Sequence, residues 1–392
     1  MLASIGQKTR RGASLLVCCL MLVVPSSHAG SCVDWPLWSA FSNRFIQSDG
    51  RVLADESEQR YSTSEGQAYA LFFSLVANDR NAFDRILTWT RENLAAADLT
   101  ARLPAWQWGK RPDGHWGVVD ANSAADADTW LAYTLLEAGR LWREPRYTAQ
   151  GNLMLANIRM RLIREFPGSG AMLLPAETGF DLEQGGSRIN PSYLPVQLLR
   201  TFAKTDPSGP WNEVINSNLK LLEALGVRGF VPDWAAYVPG KGYMTDPQHG
   251  SKGSYDAIRV YLWWGMLSKR DPMAAKLRKP LYGMNRLIPA HEIVPPLTVD
   301  VQTGQVSGVS PPSFSAALLP YFARMGNKGA LRLQQDRLLA QRDASGLLIG
   351  QNPRYYDQVL TLFGQGWMEH RFSFSSQGQL AAKWKSSCSV IK

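Results

Sequence analysis

Three acidic residues each stand at the start of an apolar, helix-patterned run. Glu65 follows Ser62, Thr63 and Ser64 and opens Gly66-Gln67-Ala68-Tyr69-Ala70-Leu71-Phe72-Phe73; Asp126 follows Asn122 and Ser123 and opens Asp128-Thr129-Trp130-Leu131-Ala132. Asp256 follows Ser254 and opens Ala257-Ile258-Arg259-Val260-Tyr261-Leu262-Trp263-Trp264. A carboxylate in a first helical turn often does no more than satisfy free N–H groups and oppose the macrodipole, and Ser123 with Asp126 has capping-box spacing. The neighbouring residues argue for more. Tyr69 lies four residues beyond Glu65 and Trp130 four beyond Asp126, so each acid shares a helix face with an aromatic ring. Arg259 lies three beyond Asp256, either as an ordinary surface ion pair or as a clamp that keeps the carboxylate ionised and aimed.

Aromatic residues point the same way. Trp 14 is as numerous as Phe 14 and Tyr 13, although Trp is usually the rarest of the three. Trp106, Trp108 and Trp116 fall in one polar loop among Gly109, Gly114 and Gly117, which suits a core poorly. Flat rings in a groove stack on the apolar faces of sugar rings while polar groups hold the hydroxyls. Acids beside such rings suit cleavage of a glycosidic bond, which needs one carboxyl group that keeps its proton and one that stays ionised. Glu65, beside the apolar Phe72–Phe73 helix, suits the acid, and Asp256, beside Arg259, the base. Sequence spacing leaves retention and inversion both open.

The elements that must position these residues are helices. A 3.6-residue periodicity predicts about twelve, near 35–48, 64–78, 81–95, 126–142, 146–166, 190–204, 210–225, 255–268, 273–288, 312–324, 328–342 and 354–367. They pair through short gaps, with longer Gly/Pro/Trp-bearing loops (99–125, 170–189, 228–253) between pairs. Strand signals are few, as at Met172 to Leu174. No residue-level repeat or linker divides the chain, so one all-α domain is expected over 30–392. Six pairs bury themselves fully as an inner ring of six helices covered by six outer ones; an open solenoid is the alternative. In the closed form the inner N-termini gather at one end, and the three acids with them.

Composition limits the setting. At 45% hydrophobic and 19% charged residues the chain can bury a large core. Lys8, Arg10 and Arg11, the apolar stretch Leu15 to Val24 and Ser27-His28-Ala29 together have the layout of a secretory signal peptide over 1–29, too short to span a bilayer. Its removal takes three cations and no acid, lowering the net charge from +9 to +6, and no dense Lys/Arg run suggests a nucleic-acid partner. No second stretch is long enough for a membrane span, so a periplasmic or secreted protein is expected. Cys32 and Cys388 would remain near the two ends, and a disulfide between them would stabilise by about 2–5 kcal/mol in the loop-entropy picture. His115, His249, His291 and His370 lack metal-ligand spacing, and phosphate-loop, dinucleotide and Gly-x-Ser-x-Gly patterns are missing from the sequence. No metal or cofactor is expected.

Taken together, Ser64-Glu65-Gly66-Gln67-Ala68-Tyr69, Ala124-Ala125-Asp126-Ala127-Asp128 and Ser254-Tyr255-Asp256-Ala257-Ile258-Arg259 resemble family 8 glycoside hydrolases. The nearest likeness is to members encoded with bacterial cellulose synthase. Pro104-Ala105-Trp106-Gln107-Trp108-Gly109 and Asn190-Pro191-Ser192-Tyr193-Leu194-Pro195 strengthen the match, which runs in order along essentially the whole mature chain. The resemblance implies an (α/α)6 barrel, inversion at the anomeric carbon, hydrolysis of internal β-1,4-glucosidic bonds, β-1,4-glucan as partner and a cellulose synthase complex as a candidate one. It implies Glu65 as proton donor and Asp256 as the base that activates water, with Tyr193 and Arg259 placing water and carboxylate. Asp126 matches the signature acid often labelled nucleophile; an inverting enzyme forms no covalent sugar, so Asp126 is read as gripping and distorting the sugar. Tyr69, Trp106, Trp108, Trp116 and Trp130 complete the expected sugar contacts. Ala125 departs from the Ser or Thr of the family pattern. Two other readings are a polysaccharide lyase, whose products would absorb in the ultraviolet, and a glucan-binding accessory without turnover.

Overall fold

A computed structural model describes residues 1–2, 35–54, 60–183, 185–291 and 294–384. The chain divides into two units, Met1–Ser31 and Cys32–Lys392; apart from Met1 and Leu2 the first lies outside the described residues, as do Cys32 and Cys388. The second unit holds α1 (Pro36–Phe45), α2 (Ser64–Val76), α3 (Arg80–Leu94), α4 (Ala125–Trp142), α5 (Pro145–Leu162), α6 (Val196–Thr205), α7 (Trp211–Leu225), α8 (Ala257–Met266), α9 (Pro272–Lys276), α10 (Gly283–His291), α11 (Pro312–Met325), α12 (Lys328–Ala340) and α13 (Tyr355–Met368). Among the described residues no helix is long and apolar enough to cross a membrane.

Burial sorts these helices into two layers. α8 buries all ten of its residues and α2 all but Glu65, whereas α3 and α12 bury a single face. A helix apolar on every side must be surrounded by others, and an amphipathic one must face water. The inner ring is α2, α4, α6, α8, α11 and α13; α3, α5, α7, the α9–α10 pair and α12 cover it. The ring closes where Phe363 of α13 meets Phe73 of α2, with centroids 4.6 Å apart. The sixth pair joins the first and last helices given above, because α1 packs on α13 through Phe41 and Tyr355. Tight crossings need glycine: a Cβ on Gly364 of α13 would sit 1.9 Å from the Ala316 carbonyl oxygen of α11.

Rings fill the barrel. Trp130 lies against Phe72 at 4.8 Å, Phe363 at 5.1 Å and Trp263 at 5.4 Å, mostly tilted or edge-on, the arrangement that the ring quadrupoles favour. This plug forms the floor on which the acids stand.

The twelve expected segments are present with three local differences. The one expected at 273–288 is two helices, because Pro280 supplies no N–H and disfavours helix in the residue before it. The one expected at 146–166 stops at Leu162, and Ile163–Phe166 pairs as a strand with Gly170–Leu173. Within 190–204, a 3₁₀ turn at Pro191–Tyr193 precedes α6, and Pro195 divides them. The loops are also richer in strand than the sequence suggests, with five small sheets of two or three strands among the described residues. One joins Ser62–Thr63 to the hairpin of Gln107–Lys110 with Trp116–Asp120; another joins Lys252–Gly253 to Pro296–Asp300.

Candidate active site

Each of the three acids begins a different inner helix, and all three meet at one guanidinium. Arg259 Nη1 donates to Glu65 Oε1 at 3.1 Å and to Asp126 Oδ2 at 3.0 Å; Nη2 donates to Asp256 Oδ1 at 2.6 Å. Nη1 also donates to the Tyr69 hydroxyl at 3.2 Å. The Arg259 side chain is 4% exposed, and its guanidinium carbon lies 5.6 Å from the Tyr193 ring centroid. Burial opposes its charge, but the surrounding tyrosines and carboxylates hold it protonated and push its pKa up. This pair is no surface ion pair: Arg259 is the hub of the site.

Local capping decides what each acid is free to do. At the start of α2, Thr63 Oγ1 accepts from the Gly66 N–H at 3.0 Å, so Glu65 is not the cap and its carboxylate turns into the barrel mouth. Asp126 is 3% exposed, with Oδ1 accepting from the Ala127 N–H at 2.9 Å and Oδ2 held by Arg259. Ser123 is not the expected partner in a capping box; its hydroxyl accepts from the Glu177 N–H. Ala125, where the family pattern has a hydroxyl, is fully buried and donates its N–H to the Pro175 carbonyl. Asp256 sits at the N-cap of α8 but makes no side-chain capping bond.

Environment then separates the acids. Glu65 keeps 29% of its side chain exposed, yet the walls of the mouth dehydrate it and the Asp126 and Asp256 charges face it. These effects outweigh the pull of Arg259 and raise its pKa to about 8. Glu65 is therefore a protonated acid at neutral pH, as a proton donor must be. Burial also raises Asp126, while Arg259 and the Ala127 N–H pull it back. Asp256 is 28% exposed and faces the same mouth.

Aromatic residues expected at sugar faces divide into two groups. Tyr69 and Trp130 are buried in the plug, at 1% exposure each, so neither offers a ring face to a ligand; Tyr69 acts through its hydroxyl on Arg259. Trp106, Trp108 and Trp116 lie at the rim. The Trp106 carbonyl accepts from the Ser64 N–H at 2.9 Å and its N–H donates to Asn122, tying this loop to the approaches of α2 and α4. Trp108 and Trp116 stack on one another at 5.6 Å, and Arg51 lies over both, at 4.4 and 5.1 Å. Their faces are thus partly occupied, although Trp116 remains 46% exposed. Tyr193 ends the 3₁₀ turn, half-buried, with its ring edge-on to Trp234.

Several residues near the hub carried no sequence signal. Tyr356 donates its hydroxyl to the Tyr255 carbonyl at 2.6 Å, and Tyr355 lies beside Gly66; burial keeps both phenols neutral. Asp128 is fully buried with neither oxygen hydrogen-bonded, and burial, Asp126 and Glu177 push its pKa far up. It is held neutral in the fold but ionises near 4 when unfolded, so it costs stability increasingly as pH rises above that value. Asp128→Asn is expected to match wild type in urea denaturation at pH 4 and to exceed it by about 1 kcal/mol or more at pH 7. A deficit that grows with pH would contradict this assignment.

The model of glycosyl hydrolases family 8 matches residues 13–370. An endoglucanase of Xanthomonas axonopodis pv. citri is 44% identical over 377 residues, covering 96% of this chain and 95% of that protein. An endoglucanase of Escherichia coli strain K12 is 42% identical over 373 residues, covering 94% and 96%. The crystal structure of endo-1,4-D-glucanase from Vibrio fischeri ES114 superposes with a TM-score of 0.84 at 40% identity, covering 90% of this chain and 99% of that one. With its acids on three inner helices of an (α/α)6 barrel and a family match spanning nearly the whole described fold, this chain belongs to glycosyl hydrolase family 8.

Proposed function

We propose that the protein is an endo-β-1,4-glucanase that hydrolyses internal bonds of cellulose-like chains with inversion at the anomeric carbon. The observation that carries this reading is the convergence of Glu65, Asp126 and Asp256 on Arg259 at the barrel mouth. The named activities of the relatives support it. Glu65 gives its proton to the departing glycosidic oxygen, and Asp256 takes a proton from water as its oxygen attacks the anomeric carbon from the opposite face. Arg259 and Tyr193 set the direction of Asp256 and of that water. Asp126, locked on both oxygens, holds the sugar at the cleavage point against the floor. The protein is exported through the 1–29 leader and trims glucan chains during cellulose synthesis, beside the synthase.

Viscosity loss against reducing-end release on carboxymethylcellulose tests the activity. Viscosity that collapses before many reducing ends appear marks internal cutting; binding without new ends would favour an accessory role. The pH dependence has a definite sign. Glu65 works only while protonated, so kcat/KM falls as pH rises through about 8. An activity already lost by pH 6 would contradict that protonation state.

A further inference from the structure

We propose that Asp233 is a positioning residue for Asp256: it caps α8 in Asp256's place and so leaves the Asp256 carboxylate free to act on water. The inference rests on the reading of Asp256 as the base. An Asp at a helix N-cap ordinarily folds its own carboxylate back onto the free N–H groups of the first turn. Here those donors are taken by another residue. Asp233 Oδ1 accepts from the N–H groups of Ser254 at 2.7 Å, Ala257 at 2.9 Å and Asp256 itself at 3.1 Å. The Ile258 and Arg259 N–H groups go to the Ser254 and Asp256 carbonyls. Every donor of the first turn is satisfied without the Asp256 side chain, which reaches Arg259 instead.

Asp233 is itself fixed. Its N–H donates to the Lys252 carbonyl at 2.8 Å, and two residues on the chain enters the strand Ala235–Val238. The capped turn is clamped from its other side, because the Ser254 hydroxyl donates to the Leu297 carbonyl at 2.8 Å. Gly253 approaches the Val231 carbonyl oxygen so closely that a Cβ would sit 2.2 Å from it. The same division of labour occurs on α2, where Thr63 caps and Glu65 is released. Asp126, which moves no proton in this mechanism, does spend an oxygen on a backbone N–H. The two proton-transfer acids are freed from capping; the third is not.

The test compares Asp233→Ala, Asp233→Ser, Asp233→Asn and Asp256→Asn for kcat, KM and melting temperature on a soluble cello-oligosaccharide. Asn keeps an acceptor of the same reach, Ser is too short to serve three donors, and Ala has none. The expected kcat loss is about ten-fold or more for Ala and several-fold for Ser, with KM within about two-fold, because the cap aims the base rather than binding sugar. Asp233→Asn is expected to keep at least about half of wild-type kcat. A merely structural role would lower the melting temperature and leave kcat of the folded fraction unchanged, which would overturn the proposal. Equal losses in Asn and Ala would overturn it too, since charge rather than capping would then matter. If Ala does not fold, the contrast of Ser with Asn decides. Asp256→Asn tests the underlying reading separately: its retention of activity would remove the base from Asp256, whereas its loss with an active Asp233→Ala would fail the positioning inference alone.

Discussion

Replacing Glu65 by Gln is expected to lower kcat on carboxymethylcellulose by about 10³-fold or more, while glucan binding persists. The amide keeps the shape of the side chain but has no proton to give, and general acid catalysis supplies about 10²–10⁴ of an enzyme's rate. The leaving group is a sugar alkoxide, a poor one, so the loss belongs at the upper end of that range. The alkaline limb near pH 8 should vanish with the carboxyl group that produces it. Residual activity within about ten-fold of wild type would remove Glu65 from the proton-donor role.

Arg259 is expected to show the second largest effect, on stability as well as turnover. It is buried and faces three carboxylates, so Arg259→Met leaves negative charges facing one another with no cation between them. Removing one partner of a buried ion pair costs about 3–5 kcal/mol. The sign with pH follows from the carboxyls. Losing Arg259 takes away the cation that lowers Asp126, and a carboxyl whose folded pKa is raised costs stability above its unfolded value near 4, whereas Glu65, protonated below about pH 8 already, adds no difference over that range. The deficit of Arg259→Met against wild type is therefore greatest at pH 7 and shrinks toward pH 4, as urea denaturation at the two pH values would measure. A deficit independent of pH would show that packing of the side chain matters more than its charge. Arg259→Lys should recover much of the stability but little of the rate, since one ammonium cannot fork between Asp256 and the other two acids.

Much of this site was legible because its signals are local. An acid after Ser or Thr at the head of an apolar run marks a helix start, and six pairs of such runs leave few ways to bury every face. The hub was only half legible. Arg259 stands three residues from Asp256, but its other partners lie 133, 190 and 194 positions away, so periodicity carries no trace of them. Spacing misled at Tyr69 and Trp130: four residues after an acid means a shared helix face, and on an inner helix that face is filled by the plug rather than by sugar. Asp233 was invisible for a related reason, because a cap is sought within a few residues of its helix and this one comes from 24 residues before Ala257. The small sheets leave no mark on the sequence pattern, because strands of two to five residues carry too little alternation to read.

In the proposed mechanism Glu65 and Asp256 act together across one bond, with water attacking directly. The anomeric configuration of the first product tests this most directly, followed by proton NMR during early hydrolysis of cellopentaose before mutarotation equilibrates it. Attack by water activated at Asp256 inverts the β-linkage, so the new reducing end should appear first as the α-anomer. An initial β-anomer would mean a covalent glycosyl-enzyme, which would make Asp126 or Asp256 a nucleophile and contradict the mechanism.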